Sequence, residues 1–217
     1  MHCDFRPVTI GLCGGSASGK TTFARALADE LSDFMPVILN QDRYFRDWSA
    51  FPAKEREAVR TANHPRAVLW PEFTEHVERL VDRRPIQVPA AGTRAQSRGD
   101  APQTVQPGDV LIVEGHLIFC DETLRNLMEI KIFIDADAHE RVLRRMLRDT
   151  TQGKMDLEAA VAWYRRDVMP NFPIYTDPTR RYADLVVPFD TSGTTAIRFV
   201  ASGVRELLRV RKAGNEQ

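Results

Sequence analysis

Five short apolar runs punctuate the chain. They are Val8-Thr9-Ile10-Gly11-Leu12-Cys13, Pro36-Val37-Ile38-Leu39, Val110-Leu111-Ile112-Val113-Glu114-Gly115, Ile130-Lys131-Ile132-Phe133-Ile134-Asp135 and Leu185-Val186-Val187. Runs of this length and composition predict strands buried on both faces, as in a parallel sheet. Between them the apolar positions fall at helical spacing. Thr22 to Ala28 predicts a helix, with Phe23, Leu27 and Leu31 at i, i+4 and i+8. Ala53 to Thr61 is charged and helical in pattern, and Asn63-His64-Pro65 ends it, because a residue before proline is pushed out of the α region. Pro71 to Val81 predicts a helix opened by proline at its first turn, with Phe73, Val77 and Leu80 on one face.

Farther along, a long helix is predicted from Ala138, a second from Asp156 to Met169 stopped by Pro170, and a last one from Thr195 to Val210. Pro85 to Gln106, rich in Gly, Pro, Ala and Gln, reads as an excursion rather than a core element. There are no internal repeats. Strands alternating with helices give an α/β class: a parallel sheet with helices on both faces, whose ligands bind at the carboxyl ends of the strands.

Composition changes this picture little. At 217 residues the chain suits one domain spanning 1–217, with an excursion about 85–107 and a lid about 138–156. Lys+Arg and Asp+Glu are both 30, so no general affinity for nucleic acid follows. Cys3, Cys13 and Cys120 show no paired or metal-ligand spacing, and the last two sit in apolar runs as core thiols. No signal peptide or membrane-length apolar run is read, so a reduced cytoplasmic protein is expected. Assembly with further copies of the chain stays open.

The chemistry concentrates at the strand ends. Gly14-Gly15-Ser16-Ala17-Ser18-Gly19-Lys20-Thr21 fits G-x-x-x-x-G-K-[ST] between a predicted strand and a predicted helix. Its glycines let the backbone wrap closely around one anion at the helix N-terminus. Thr22 continues the loop into the helix. Lys20 is placed to reach β- and γ-phosphates, and the Thr21 hydroxyl to ligate Mg²⁺. Glu114 ends an apolar strand, where such proteins hold Mg²⁺ directly or through water. Asp42 stands at another strand end, where a carboxylate accepts a hydroxyl proton or forms an Asx turn. Arg141, Arg144, Arg145 and Arg148 lie at i, i+3, i+4 and i+7, on one face of the Ala138 helix; Val142, Leu143, Met146 and Leu147 form the other. That row is either a solvated basic face or a lid closing over phosphates, and the glycine-rich loop favours the lid.

Taken together with Gln41-Asp42-Arg43-Tyr44-Phe45, Asn63-His64-Pro65, Asp135-Ala136-Asp137, Arg144-Arg145-Met146-Leu147-Arg148-Asp149 and Pro178-Thr179-Arg180-Arg181-Tyr182-Ala183-Asp184, these motifs resemble the uridine kinase branch of the uridine kinase/phosphoribulokinase family. The resemblance implies a P-loop kinase fold that moves the γ-phosphate of ATP to a primary hydroxyl. It implies Asp42 as the base, Lys20 on the phosphates, Thr21 and Glu114 around Mg²⁺, and the arginine helix, with Arg144 and Arg148, as the lid. On the acceptor side it points to Tyr44, Asn63, His64, Arg98 and Arg145.

The departures fall on that acceptor side. Where uridine kinases carry Phe-Asp-His-Pro, this chain has Ala62-Asn63-His64-Pro65. Their pyrimidine-reading Tyr-Asp-Phe and His-Ser-Arg align with Ala91-Gly92-Thr93 and Gln96-Ser97-Arg98, their Arg-Gly-Arg with Gly153-Lys154-Met155, and a substrate-contacting Gln with Trp163. Trp163 either lines the pocket or packs within the fold. The expectation is therefore a kinase with an altered acceptor site, with nicotinamide riboside, pantothenate and sugars among the alternatives. A regulatory GTPase would need N-K-x-D after a strand, and Gly153-Lys154-Met155-Asp156 lacks the Asn. A nucleotide-binding protein without catalysis is opposed by the retention of Lys20, Thr21, Asp42 and Glu114.

Overall fold

The structure is a computed structural model describing residues 6–49, 51–152, 155–188 and 194–214. All five predicted strands form. They are β1 (Val8–Cys13), β2 (Val37–Asn40), β5 (Val110–Glu114), β6 (Ile130–Asp135) and β7 (Leu185–Pro188); β3 (Ile86–Val88) and β4 (Gln103–Val105) lie in the excursion. The main sheet runs β2-β5-β1-β6-β7 with every pair parallel, and β1 sits at its centre with Ile10 opposite both Ile112 and Ile130.

Alternation along the central strands splits the core in two. Val8, Ile10 and Leu12 face one side with Ile112 and Ile132, against Phe23 and Leu27 of α1 (Lys20–Glu30) and Val204 and Leu208 of the C-terminal helix Thr194–Gly214. Cys13, Leu111, Val113 and Phe133 face the other, against Phe73, Val77 and Leu80 of Trp70–Val81 and Leu124 of Glu122–Asn126. Each fully buried side chain of this size contributes about 1.5–3 kcal/mol of transfer free energy. Cys13 is a core thiol; Cys120 is partly buried and donates to Tyr175 O at 2.8 Å, while Cys3 lies outside the described residues.

Three expectations change. The excursion carries an antiparallel pair, Ile86 opposite Val105 and Val88 opposite Gln103, and both Ile86 and Val88 are buried. Pro170 does not stop the helix after Asp156. Leu157–Trp163 is α-helical, Tyr164–Val168 and Phe172–Thr176 are π-helical turns, and Met169–Asn171 between them contains the proline. A proline inside a regular helix strikes the carbonyl one turn back and removes a donor. The wider preceding turn displaces that carbonyl, so the chain stays helical through it.

The third change concerns Ala138–Thr151, whose amphipathicity is inverted. Asp137 caps it, accepting from His139 N and Glu140 N. Leu143 and Leu147 are 65% and 66% exposed, whereas Arg141 and Arg145 are buried. The inward face of this helix looks at the carboxyl edge of the sheet, where polar loops lie instead of an apolar layer.

Candidate active site

The loop from Gly14 to Gly19 leaves β1 and enters α1 with backbone shapes that its small residues permit. Gly14 has φ 143°, and a Cβ there would lie 2.3 Å from Ile134 O. A Cβ on Gly15 would lie 2.1 Å from Arg141 Nη1, so glycine lets the arginine helix approach the loop. No side chain caps the start of α1, whose first N–H groups have no partner within the helix. Lys20 is buried and donates to Gly15 O at 2.8 Å, folding back along the loop. The Ser18 hydroxyl is buried and has no hydrogen-bond partner among the described residues. An orphan hydroxyl, an uncapped helix start and a buried ammonium together fit a phosphate chain.

At the neighbouring strand ends, Glu114 Oε1 accepts from Thr21 Oγ1 at 2.8 Å and from Asn40 Nδ2 at 2.6 Å. Burial is the main cause of two opposite displacements: it pushes the Lys20 ammonium down and the Glu114 carboxyl up, and their mutual attraction opposes both. Among the described residues no group of three or more His, Cys, Asp or Glu forms a metal cage. Two hard oxygens, one hydroxyl and one carboxylate, beside a phosphate cradle match how Mg²⁺ is held between protein and phosphates. Asp42 follows on the next strand end. Its N–H donates to Asn40 Oδ1 at 2.6 Å, so Asn40 makes the Asx turn and the Asp42 carboxylate is exposed.

The four arginines divide. Arg145 donates to Ser16 Oγ at 2.8 Å and pairs with Asp149 at 3.1 Å, and Arg141 lies against the Phe172 ring at 4.1 Å. Arg144 pairs with Glu140 at 3.4 Å and Arg148 with Asp149 at 2.9 Å, both at the helix margin. The row thus divides in its contacts: Arg141 and Arg145 lie against the loop, and Arg144 and Arg148 stay at the margin.

The acceptor side is built from distant segments. Asn63 is buried, and its Nδ2 donates to Asp167 Oδ2 at 2.7 Å. His64 Nε2 meets Tyr175 Oη at 2.8 Å, and its Nδ1 accepts from Arg66 N. Tyr44, expected on the acceptor side, points into the core. It is fully buried, stacks on Phe73 at 4.3 Å and bonds His76 Nδ1 at 2.8 Å, because its 3-10 turn aims it into the second core layer. Arg98 also departs from expectation, pairing with Asp100 at 3.3 Å on the exposed end of its loop. Trp163 takes its packing role, with the guanidinium groups of Arg60 and Arg166 over its ring at 4.8 and 4.6 Å. Gly153 and Lys154 lie outside the described residues.

Two residues were missed by sequence reasoning. His116 follows Glu114 by two positions and meets Ala62 O through Nε2 at 2.9 Å, which makes that nitrogen the donor. Desolvation lowers its pKa from 6.5 to about 4, against the pull of the Asp42 charge, so the ring stays neutral. Its position directly past a strand end was the available signal. Asp167 had none, since its burial depends on the π-helical turn that carries it.

A family profile described as the Phosphoribulokinase / Uridine kinase family matches residues 9–196. The chain is 39% identical over 204 residues to a uridine kinase of Geobacillus sp. (strain WCH70), covering 94% of this chain and 96% of that one. It is 38% identical to a uridine kinase of Lactiplantibacillus plantarum, covering 94% and 97%. In fold it is similar to D-glycerate 3-kinase from Cryptococcus neoformans, with TM-score 0.58, 14% identity and 80% of each chain covered. Among the described residues no helix is long and apolar enough to cross a membrane.

Proposed function

The chain belongs to the phosphoribulokinase/uridine kinase family, and on that footing we propose that it uses ATP and Mg²⁺ to phosphorylate a hydroxyl of a small nucleoside-like or sugar-like molecule at an altered acceptor site. It is a kinase, a phosphotransferase with an alcohol group as acceptor. The observation that carries the reading is the uncapped, lysine-lined start of α1, set beside the Glu114 and Asp42 strand ends.

Each residue then has a task. The loop from Gly14 to Thr22 binds the phosphates, with Lys20 released from Gly15 O to meet them and Ser18 gaining a partner. Thr21 and Glu114 hold Mg²⁺, which when bound neutralises charge on the phosphate oxygens. Asp42 accepts the proton of the attacking hydroxyl, and Arg141 and Arg145 meet the negative charge that spreads over the transferring group. Asn63 faces the acceptor.

The altered acceptor is supported by what its expected contacts do here. Gln96 Oε1 accepts from Gly92 N at 2.9 Å, Thr93 is buried and donates to Ala90 O, and Arg98 is spent on Asp100. These side chains fold their own loop and leave few groups to orient a pyrimidine. The names of the relatives favour a second reading, uridine phosphorylation itself.

Steady-state ATP turnover across a panel of nucleosides, vitamins and sugars separates the two. We expect poor kcat/KM with uridine and cytidine and a better acceptor elsewhere in the panel. Saturable uridine phosphorylation at micromolar substrate would establish the second reading. ATP binding without turnover on any member would show a protein that has lost catalysis.

A further inference from the structure

We infer that Asp167 is a positioning residue that fixes the Asn63 amide, so that the loop presents an uncharged hydrogen-bond acceptor, Asn63 Oδ1, to a hydroxyl of the substrate. The inference rests on the kinase reading above and deepens it.

The Asp167 carboxylate is buried and nearly saturated. Oδ1 accepts from Thr61 Oγ1, and from Asn171 Nδ2 at 3.4 Å; Oδ2 accepts from Ala62 N at 2.9 Å and Asn63 Nδ2 at 2.7 Å. One acid therefore ties three consecutive residues of the 61–63 loop. Oδ2 already accepts from the Ala62 N–H, so the amide nitrogen of Asn63 faces it as a second donor and the amide oxygen faces away. Among the described residues no hydrogen bond engages that oxygen. The same loop offers Ala62 O to His116, which lies in the field of Asp42 and Lys20, and Arg145 joins the field of Asp167 to the phosphate loop through Ser16. The loop thus borders the reacting groups.

The charge is set one layer back from the acceptor. A carboxylate at position 63 itself would set acceptor against acceptor at hydrogen-bonding distance and lose the donor that Asn63 supplies. Asn at 63 and Asp at 167 are hence one unit: the amide does the accepting, and the buried acid decides which way it turns. Among the described residues, Arg145 on the arginine helix and His64 on the loop lie in the field of the Asp167 charge.

The test has two readouts. In nitrogen-15-labelled protein the Asn63 side-chain amide, identified by its loss in Asn63→Asp, should be protected from exchange, and Asp167→Asn should remove the protection while circular dichroism shows the fold retained. An amide unprotected in the unaltered protein would overturn the brace. With uridine as the acceptor probe, Asp167→Asn should lower kcat/KM for uridine on the order of tenfold with KM for ATP unchanged. Asn63→Asp should be worse, and Asn63→Asp/Asp167→Asn should recover much of the loss, since the donor–acceptor pair is re-formed with its partners exchanged. A double variant no better than Asn63→Asp, or equal changes in the ATP and uridine parameters, would show a merely structural acid. Absence of turnover with every acceptor in the unaltered protein would sink the kinase reading, while a protected amide would still stand.

Discussion

The proposed phosphate cradle and the proposed acceptor side are made in opposite ways. The cradle comes from one continuous stretch, Gly14 to Thr21, whose shape is fixed by backbone: a positive φ at Gly14, a close approach at Gly15, an uncapped helix start. The acceptor side draws on the loop at 61–64, His116 past β5, Arg145 and a carboxylate in a π-helical turn, and side chains bonding across more than 50 positions hold it together. A geometry encoded locally resists change. One assembled from distant side chains depends on each partner, as Asn63 depends on Asp167 in the proposed pair.

The sharpest way to break the comparison is at the cradle. Lys20→Ala should abolish phosphoryl transfer while the fold survives, because the side chain reaches along the loop toward ligand; near-normal turnover at saturating ATP in a folded variant would refute its role. Asp42→Asn stands on the boundary. It should keep ATP affinity and lose on the order of 10²–10⁴ in kcat. Joint loss of ATP binding and folding would instead give the Asp42 carboxylate a structural role.

An intermediate effect separates the two kinds of arginine. Arg145→Gln removes the guanidinium on Ser16 and should cost on the order of 10²–10³ in kcat. Arg144→Gln gives up a partly exposed pair with Glu140 and should change stability by less than ~1 kcal/mol, with turnover little altered. Equal losses of rate in both would restore the undivided row.

The smallest effect is in pH dependence. His116 is held neutral when folded, with its pKa lowered to about 4, so below 6.5 the unfolded chain takes up a proton that the native one refuses. Stability should fall as pH drops through that window, and His116→Asn should flatten the decline by about 1 kcal/mol per pH unit at its steepest. His64 and His76, also lowered by burial, act in the same sense and remain in the variant; Glu114, raised by burial, acts in the opposite one. Parallel melting-temperature curves for the two proteins from pH 7 to 4 would remove His116 from the account.

What was legible in the sequence follows the same divide. The five central strands and the glycine-rich loop declare themselves through local composition, and the structure places them as read. Tyr44 misled because one residue on from Arg43 its 3-10 turn points inward, a rotation that no motif records. The helix past Pro170 misled because the proline is accommodated by the wider turn before it, and that turn is also what brings Asp167 to the loop. Helical spacing grouped the arginines correctly, but only the docking of the helix on Gly15 and Ser16 decides which two turn inward.

The inverted helix Ala138–Thr151 is held by a different force from the helices that cover the sheet. An ordinary amphipathic helix lifts from its protein only by baring hydrocarbon to water, which couples its motion to the strength of the core. Here the face against the site carries Arg141 and Arg145, and Leu143 and Leu147 already meet solvent. Moving such a helix outward would hydrate guanidinium groups and uncover little hydrocarbon, so its docking rests on charge and should weaken as salt rises. The hydrophobic layers on either side of the sheet, where apolar side chains pack together, would not share that sensitivity to salt.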